Sequence, residues 1–108
     1  MIKVYIASPY TIGDTAVNVK RQIDCANELI NLGYAPYAPL LSYFQHMIHP
    51  QPYEKWMELT SEWLKECDCL LRLCGESSGS DREMEQALND NQLVFCDINK
   101  LDTYYKNL

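Results

Sequence analysis

Positive charge is scarce in this chain: 9 Lys and Arg stand against 15 Asp and Glu, a net charge of −6 over 108 residues. A track for DNA or RNA requires a basic face, so no nucleic-acid polymer is an expected partner. A small phosphorylated ligand needs only a local pocket and stays possible. No apolar run approaches the ~20 residues of a membrane span, and no signal peptide precedes the first strand, so no membrane partner is expected. Cysteines number five, an odd count, and most sit within apolar runs, which speaks against the disulfide framework of a secreted protein. A cytoplasmic protein is the expectation. Repeats, linkers and low-complexity tracts are also lacking, and the whole of 1–108 reads as one domain. That length can bury a core without disulfides or metal but is small for a complete α/β enzyme, so an active site shared within a homo-oligomer is expected.

Two pairs have some look of metal ligands, Cys67 with Cys69 and His46 with His49. The cysteines alternate across the start of a strand and would point to opposite faces, so core thiols and loop histidines are the better reading. No metal and no organic cofactor is implied.

The stretch 67–88 organises the rest. Apolar residues 69–74, interrupted only by Arg72, suit a strand buried on both faces of a parallel sheet. Small and hydroxyl residues at 75–79 break the chain and can bring backbone N–H groups close to an anion. A helix follows, with Met84, Ala87, Leu88 and Asn91 on one side and Ser80 or Asp81 as its cap. Glu83 falls in its first turn by this reading. The local pattern also allows a plainer role, a capping box in which Glu83 returns a hydrogen bond to the Ser80 amide.

Before that stretch, residues 2–7 form a β-branched and aromatic strand, ended by Ser8, Pro9, Tyr10, Thr11 and Gly13. A long helix is expected from Asp14 or Thr15 to Gly33, with Ala16, Val19, Ile23, Ala26 and Ile30 on one face and Asn18 and Arg21 off it. Arg21 is either a solvated charge or a group reaching an anion at that helix's N-terminus. Residues 34–37 read as a short strand, and 40–52, with two prolines and no period, as a surface excursion or a lid. Residues 53–66 read as a helix with Trp56, Leu59, Trp63 and Cys67 inward. After the Glu83 helix come a strand at 93–96 and a short final helix or tail from 99. Strand and helix alternate four times, which predicts an α/β fold, a doubly wound parallel sheet with helices on both faces.

In order and spacing, several segments resemble the nucleoside 2-deoxyribosyltransferase family, above all its short relatives, often phage or prophage encoded. They are residues 4–11 with Asn18 and Arg21, then Leu32, Gly33, Tyr34, Pro36 and Pro39, then Trp63 and Leu64 before Cys67 and Asp68, and finally 79–87. The resemblance covers nearly the whole length and implies a flavodoxin-like fold. It implies cleavage or transfer at the N-glycosidic bond of a (deoxy)nucleoside or its 5′-monophosphate, with Glu83 attacking the anomeric carbon to form a covalent glycosyl-enzyme. By the same resemblance Tyr5 holds that carboxylate, Ser8, Pro9, Tyr10 and Thr11 line the base and sugar pocket, and Ser77, Ser78, Gly79 and Arg21 meet the 5′ end. A neighbouring subunit completing the pocket implies at least a homodimer.

Six residues before the nucleophile, the nucleoside transferases carry an Asp for the 5′-hydroxyl and the nucleotide N-glycosidases a Ser; this chain has Ser77, which leans toward a 5′-phosphate, softened by Glu76. Where the family has an Asp that contacts or protonates the departing base, this chain has Thr60, a poor general acid. Asp81 or Glu58 would then deliver the proton, or water would. Asp81 is also the rival nucleophile, its plainer role being a helix cap. The alternative reading is a nucleotide-binding or sensing module of the same fold without catalysis.

Overall fold

The computed structural model describes all residues, 1–108. Strand β1, Lys3–Ala7, lies between β2, Ala35–Tyr37, and β3, Cys69–Arg72; β4, Leu93–Phe95, completes the order β2-β1-β3-β4, and every pairing is parallel. Helices α1 (Thr15–Asn31), α2 (Ser42–Ile48), α3 (Tyr53–Leu64) and α4 (Ser78–Asn89) make the connections, and α5 (Ile98–Lys106) follows β4. The fold is the doubly wound α/β architecture that the alternation predicts, with the flavodoxin-like form that the resemblance implies.

Side chains of successive strand residues point to opposite faces, and this sorts the core into two. Val4, Ile6, Cys69 and Leu71 face Leu29 of α1 and Leu101 of α5. Tyr5, Ala7 and Leu70 face Leu64 at the end of α3 and Ala87 of α4. The chain runs from β1 to one side and returns to β3 on the other, so the loops after these two strands diverge. A crevice at the carboxyl end of the sheet follows from that reversal.

The expected elements occur with small shifts of boundary, and four details differ. Residues 42–48 are helical, following a 3-10 turn at Pro39–Leu41, where no period was legible. His49, ahead of Pro50, leaves helical backbone with φ −129 and ψ 82 and stops that helix. The inward face of α1 is Val19, Gln22 and Leu29, while Ala16 and Ile30 are exposed. On α3 the buried residues are Thr60 and Leu64, and Leu59 and Trp63 are exposed, Trp63 by 57%. On α4, Ser80 and Ala87 are buried and Leu88 is exposed, as is Asn91 beyond the helix end.

The cap of α4 also differs from expectation. Ser77, not Ser80 or Asp81, is the N-cap, and its Oγ accepts from the Ser80 N–H at 3.1 Å. The helix therefore starts earlier, Glu83 lies in its second turn, and the capping box at 80–83 does not form. One turn from both Ser80 and Ala87, Glu83 is carried on the inward face.

Candidate functional site

A cleft of about 720 Å³ opens at the carboxyl ends of β1 and β3. One wall is the loop after β1, with Ser8, Tyr10, Thr11 and Ile12; the opposite wall is the start of α4, with Ser77, Ser78, Gly79, Ser80 and Glu83. Pro39, Leu40, Ser42 and His46 close a third side, and Trp56, Met57 and Thr60 of α3 a fourth.

Glu83 is the chemical centre. Tyr5, fully buried on the face of β1 that packs against α4, donates its hydroxyl hydrogen bond to Glu83 Oε2. The phenol is itself fixed by stacking on Tyr37, with centroids 5.5 Å apart, and Tyr37 stacks on Trp63 at 5.9 Å. Burial pushes the Glu83 carboxyl up from 4.5 to about 8, because the ionised form loses its hydration. A phenol hydroxyl donating to the carboxylate favours ionisation, so Tyr5 is the group that opposes this shift. Replacing Tyr5 with Phe is expected to move the Glu83 midpoint further up by about one to two units, the worth of a hydrogen bond to a charged group. Carboxyl ¹³C NMR titration measures it; an unchanged midpoint would show that the phenol does not act on the carboxylate.

The walls are held by a few buried polar contacts. Gln22, 1% exposed, donates through Nε2 to Ser8 Oγ at 2.8 Å and to the Ile6 carbonyl at 3.2 Å, and accepts from the Leu40 N–H at 2.8 Å. It joins the loop after β1 to the turn after β2. Asn18 Nδ2 donates to the carbonyls of Tyr10 and Ile12, at 3.0 and 2.8 Å, and so shapes the first wall. Gly75 has φ +124, a region that favours glycine, and a Cβ there would meet Pro9 Cγ at 2.7 Å. Pro9 thus packs the β1 loop against the β3 loop instead of lining the cleft.

Of the residues singled out in the sequence, Ser8, Tyr10, Thr11, Thr60, Ser77, Ser78, Gly79 and Glu83 line one cleft, with Tyr5 behind Glu83. Besides Pro9, three others lie elsewhere. Asp81 has a side chain 64% exposed and pairs with Arg72 at 3.0 Å. Arg72 also donates to the Leu73 and Gly75 carbonyls, so this pair fastens the loop to α4. Arg21 donates to the Cys74 carbonyl at 2.6 Å and is not among the lining residues. Glu58 sits on the outer face of α3, 3.6 Å from Lys55.

Gln22 carries no role in the sequence reading, and His46 figures there only as a loop histidine; both line the cleft. A polar residue inside an otherwise apolar helix face was the available signal for Gln22. For His46 the signal was weaker, since the two prolines hid the helix that carries it.

The chain belongs to the family described as Domain of unknown function (DUF7768), whose model matches residues 2–96. No curated protein matches it. Among solved structures, a 2-deoxyribosyltransferase from the psychrotolerant bacterium Bacillus psychrosaccharolyticus superposes with a TM-score of 0.63 at 18% identity, covering 85% of this chain and 69% of that one. At that identity the likeness is one of fold.

Proposed function

We propose that this protein cleaves the N-glycosidic bond of a deoxynucleoside, with Glu83 as nucleophile. The observation that carries the reading is a carboxylate on the buried face of a helix, hydrogen-bonded by a buried phenol, at the mouth of a cleft sized for a nucleoside. A structural role for Glu83 gives no reason for burying an ionisable group without a cationic partner. In the reaction the ionised Glu83 bonds to the anomeric carbon as the bond to the base nitrogen breaks, through an oxocarbenium-like transition state. Water or a second base then displaces Glu83 from the sugar. The fold shared with a 2-deoxyribosyltransferase supports the choice of substrate.

The lining favours a free 5′-hydroxyl over a 5′-phosphate, against the lean that Ser77 gives in the sequence. Ser77 Oγ is occupied by Ser80, with N–H and hydroxyl contacts at 3.1 and 2.9 Å. No lysine or arginine lines the cleft, whereas Glu76 does. One full negative charge outweighs the roughly half positive charge of the α4 N-terminus. Nucleosides are therefore expected to react at least about 10-fold faster than their 5′-monophosphates, and Glu76→Gln to narrow that ratio, since removing one opposing charge is worth about 1 kcal/mol. Paired rate measurements on one nucleoside and its monophosphate check it.

Self-association belongs to the same proposal. Leu41, Phe44, Met47 and Ile48 are large apolar side chains exposed beside the cleft. A homodimer that covers them is expected by sedimentation velocity, and Phe44→Asp with Met47→Asp is expected to yield monomer.

Chromatography of free base released from a panel of nucleosides and monophosphates tests the reaction, with a second base added to half the samples to separate transfer from hydrolysis. Release is the expected result. Thermal stabilisation by nucleosides without any release would replace the enzyme reading with that of a binding module.

A further inference from the structure

The proposed reaction sends an electron pair onto the departing base, and Thr60, at the position where the resemblance puts a carboxyl, makes its side-chain hydrogen bond to the Met57 carbonyl at 3.3 Å. Asp81 and Glu58 lie outside the cleft. Among the other side chains of the lining, His46 has its ring held by two hydrogen bonds. His46, on α2, holds its ring through Nδ1, which accepts from the Trp56 indole N–H at 2.9 Å and from the Gln51 backbone N–H at 3.2 Å. The two rings pack edge to face, with centroids 5.9 Å apart. Indole and amide N–H groups can only donate, so Nδ1 carries no proton and the ring's N–H is fixed on Nε2. No group of the protein accepts from Nε2, and His46, Gln51 and Trp56 all line the cleft.

We propose that His46 is the hydrogen-bond donor to the leaving base, through Nε2–H, with Trp56 and Gln51 as the positioning groups that fix its tautomer. The inference rests on the glycosidic reading of the site and names the group that serves its departing half. As the C1′–N bond breaks and the Glu83–C1′ bond forms, the pair passes to the base, and Nε2–H strengthens its bond to an acceptor on the base edge. The proton stays on His46, since a neutral imidazole is a donor and not an acid of useful strength. The base leaves as an anion and takes its proton from water. Water that later resolves the ester gives a proton back to solvent, so protons and charge balance over the turnover. The site thereby selects bases that present an acceptor to α2, and a base lacking one gains nothing from His46.

Rates of release from a series of nucleosides whose bases differ in acidity test this, with wild type, His46→Ala and His46→Gln. His46→Ala is expected to lose about 10²-fold on the least acidic leaving groups, the usual worth of one preorganised donor. On the most acidic it should lose about 10-fold or less, because a stable anion needs little help, so the dependence of rate on base acidity steepens. His46→Gln keeps an N–H donor and is expected to recover part of the loss. A loss equal across the series would indicate a structural role and overturn the inference, as would an unchanged rate. Release absent from wild type itself would instead overturn the glycosidic reading and the inference with it. Imidazole ¹⁵N shifts, assigned with a His49→Gln variant, give a readout independent of turnover. The proton is expected on Nε2, and a proton on Nδ1 would overturn the inference whatever the rates.

Discussion

Replacing Glu83 with Gln is expected to abolish base release, by at least about 10⁴-fold, and at the same time to make the protein more stable in alkaline solution. Both effects come from one arrangement. An amide has the size of the carboxyl but cannot bond to the anomeric carbon as an anion does. It also has no proton to lose. Wild-type Glu83 binds its proton more tightly in the folded state, where burial raises it to about 8, than in the unfolded chain near 4.5. The stability this confers is present in full below the unfolded value and is lost as pH rises through the folded one. Over that window the loss amounts to about 5 kcal/mol. Urea denaturation of wild type and Glu83→Gln is expected to give curves that coincide below about 4.5, separate as pH rises from there and keep a constant gap above about 8, the variant being the more stable. Release by wild type should rise with pH toward a plateau above about 8, since the ionised form is the nucleophile. Parallel stability curves would show that Glu83 is not held neutral by the fold.

The second large effect is expected at Gln22. Gln22→Ala removes three hydrogen bonds and leaves the Leu40 N–H without its acceptor beneath the cleft. A loss of about 3 kcal/mol is expected, combining the unsatisfied donor with the cavity left by the side chain. Gln22→Met fills the space but restores no hydrogen bond, and about 2 kcal/mol is expected. Either variant releases Ser8 and the 39–40 turn from each other, so base release should fall more steeply than the folded fraction at the same urea concentration. A variant as active and as stable as wild type would show that Gln22 does not hold the walls together.

These two residues also show what the sequence made legible. Strand β1 was readable because its β-branched and aromatic residues are buried on both faces. The helix faces of α1, α3 and α4 were each read a fraction of a turn away from where they lie. The reason is common to all three: the inward positions Gln22, Thr60, Ser80 and Glu83 are polar, and a count of apolar residues passes over them in favour of Ile30, Leu59, Trp63 and Leu88. All four polar residues line the cleft. Local pattern and fold disagree where side chains serve the site instead of the core. Tyr5 and Glu83 were identified by resemblance, while their burial against one another depended on the register of α4 against β1. That register follows from Ser77 as cap, a choice among several adjacent hydroxyls that periodicity does not make.

The most direct measurement is the mass of the protein quenched in acid during turnover, followed by mapping of the peptide that carries any added sugar. A deoxyribosyl adduct on Glu83, absent from Glu83→Gln, is the predicted result. Release of base by Glu83→Gln at the wild-type rate, or an adduct carried by Asp81, would contradict the assignment of Glu83 as the nucleophile.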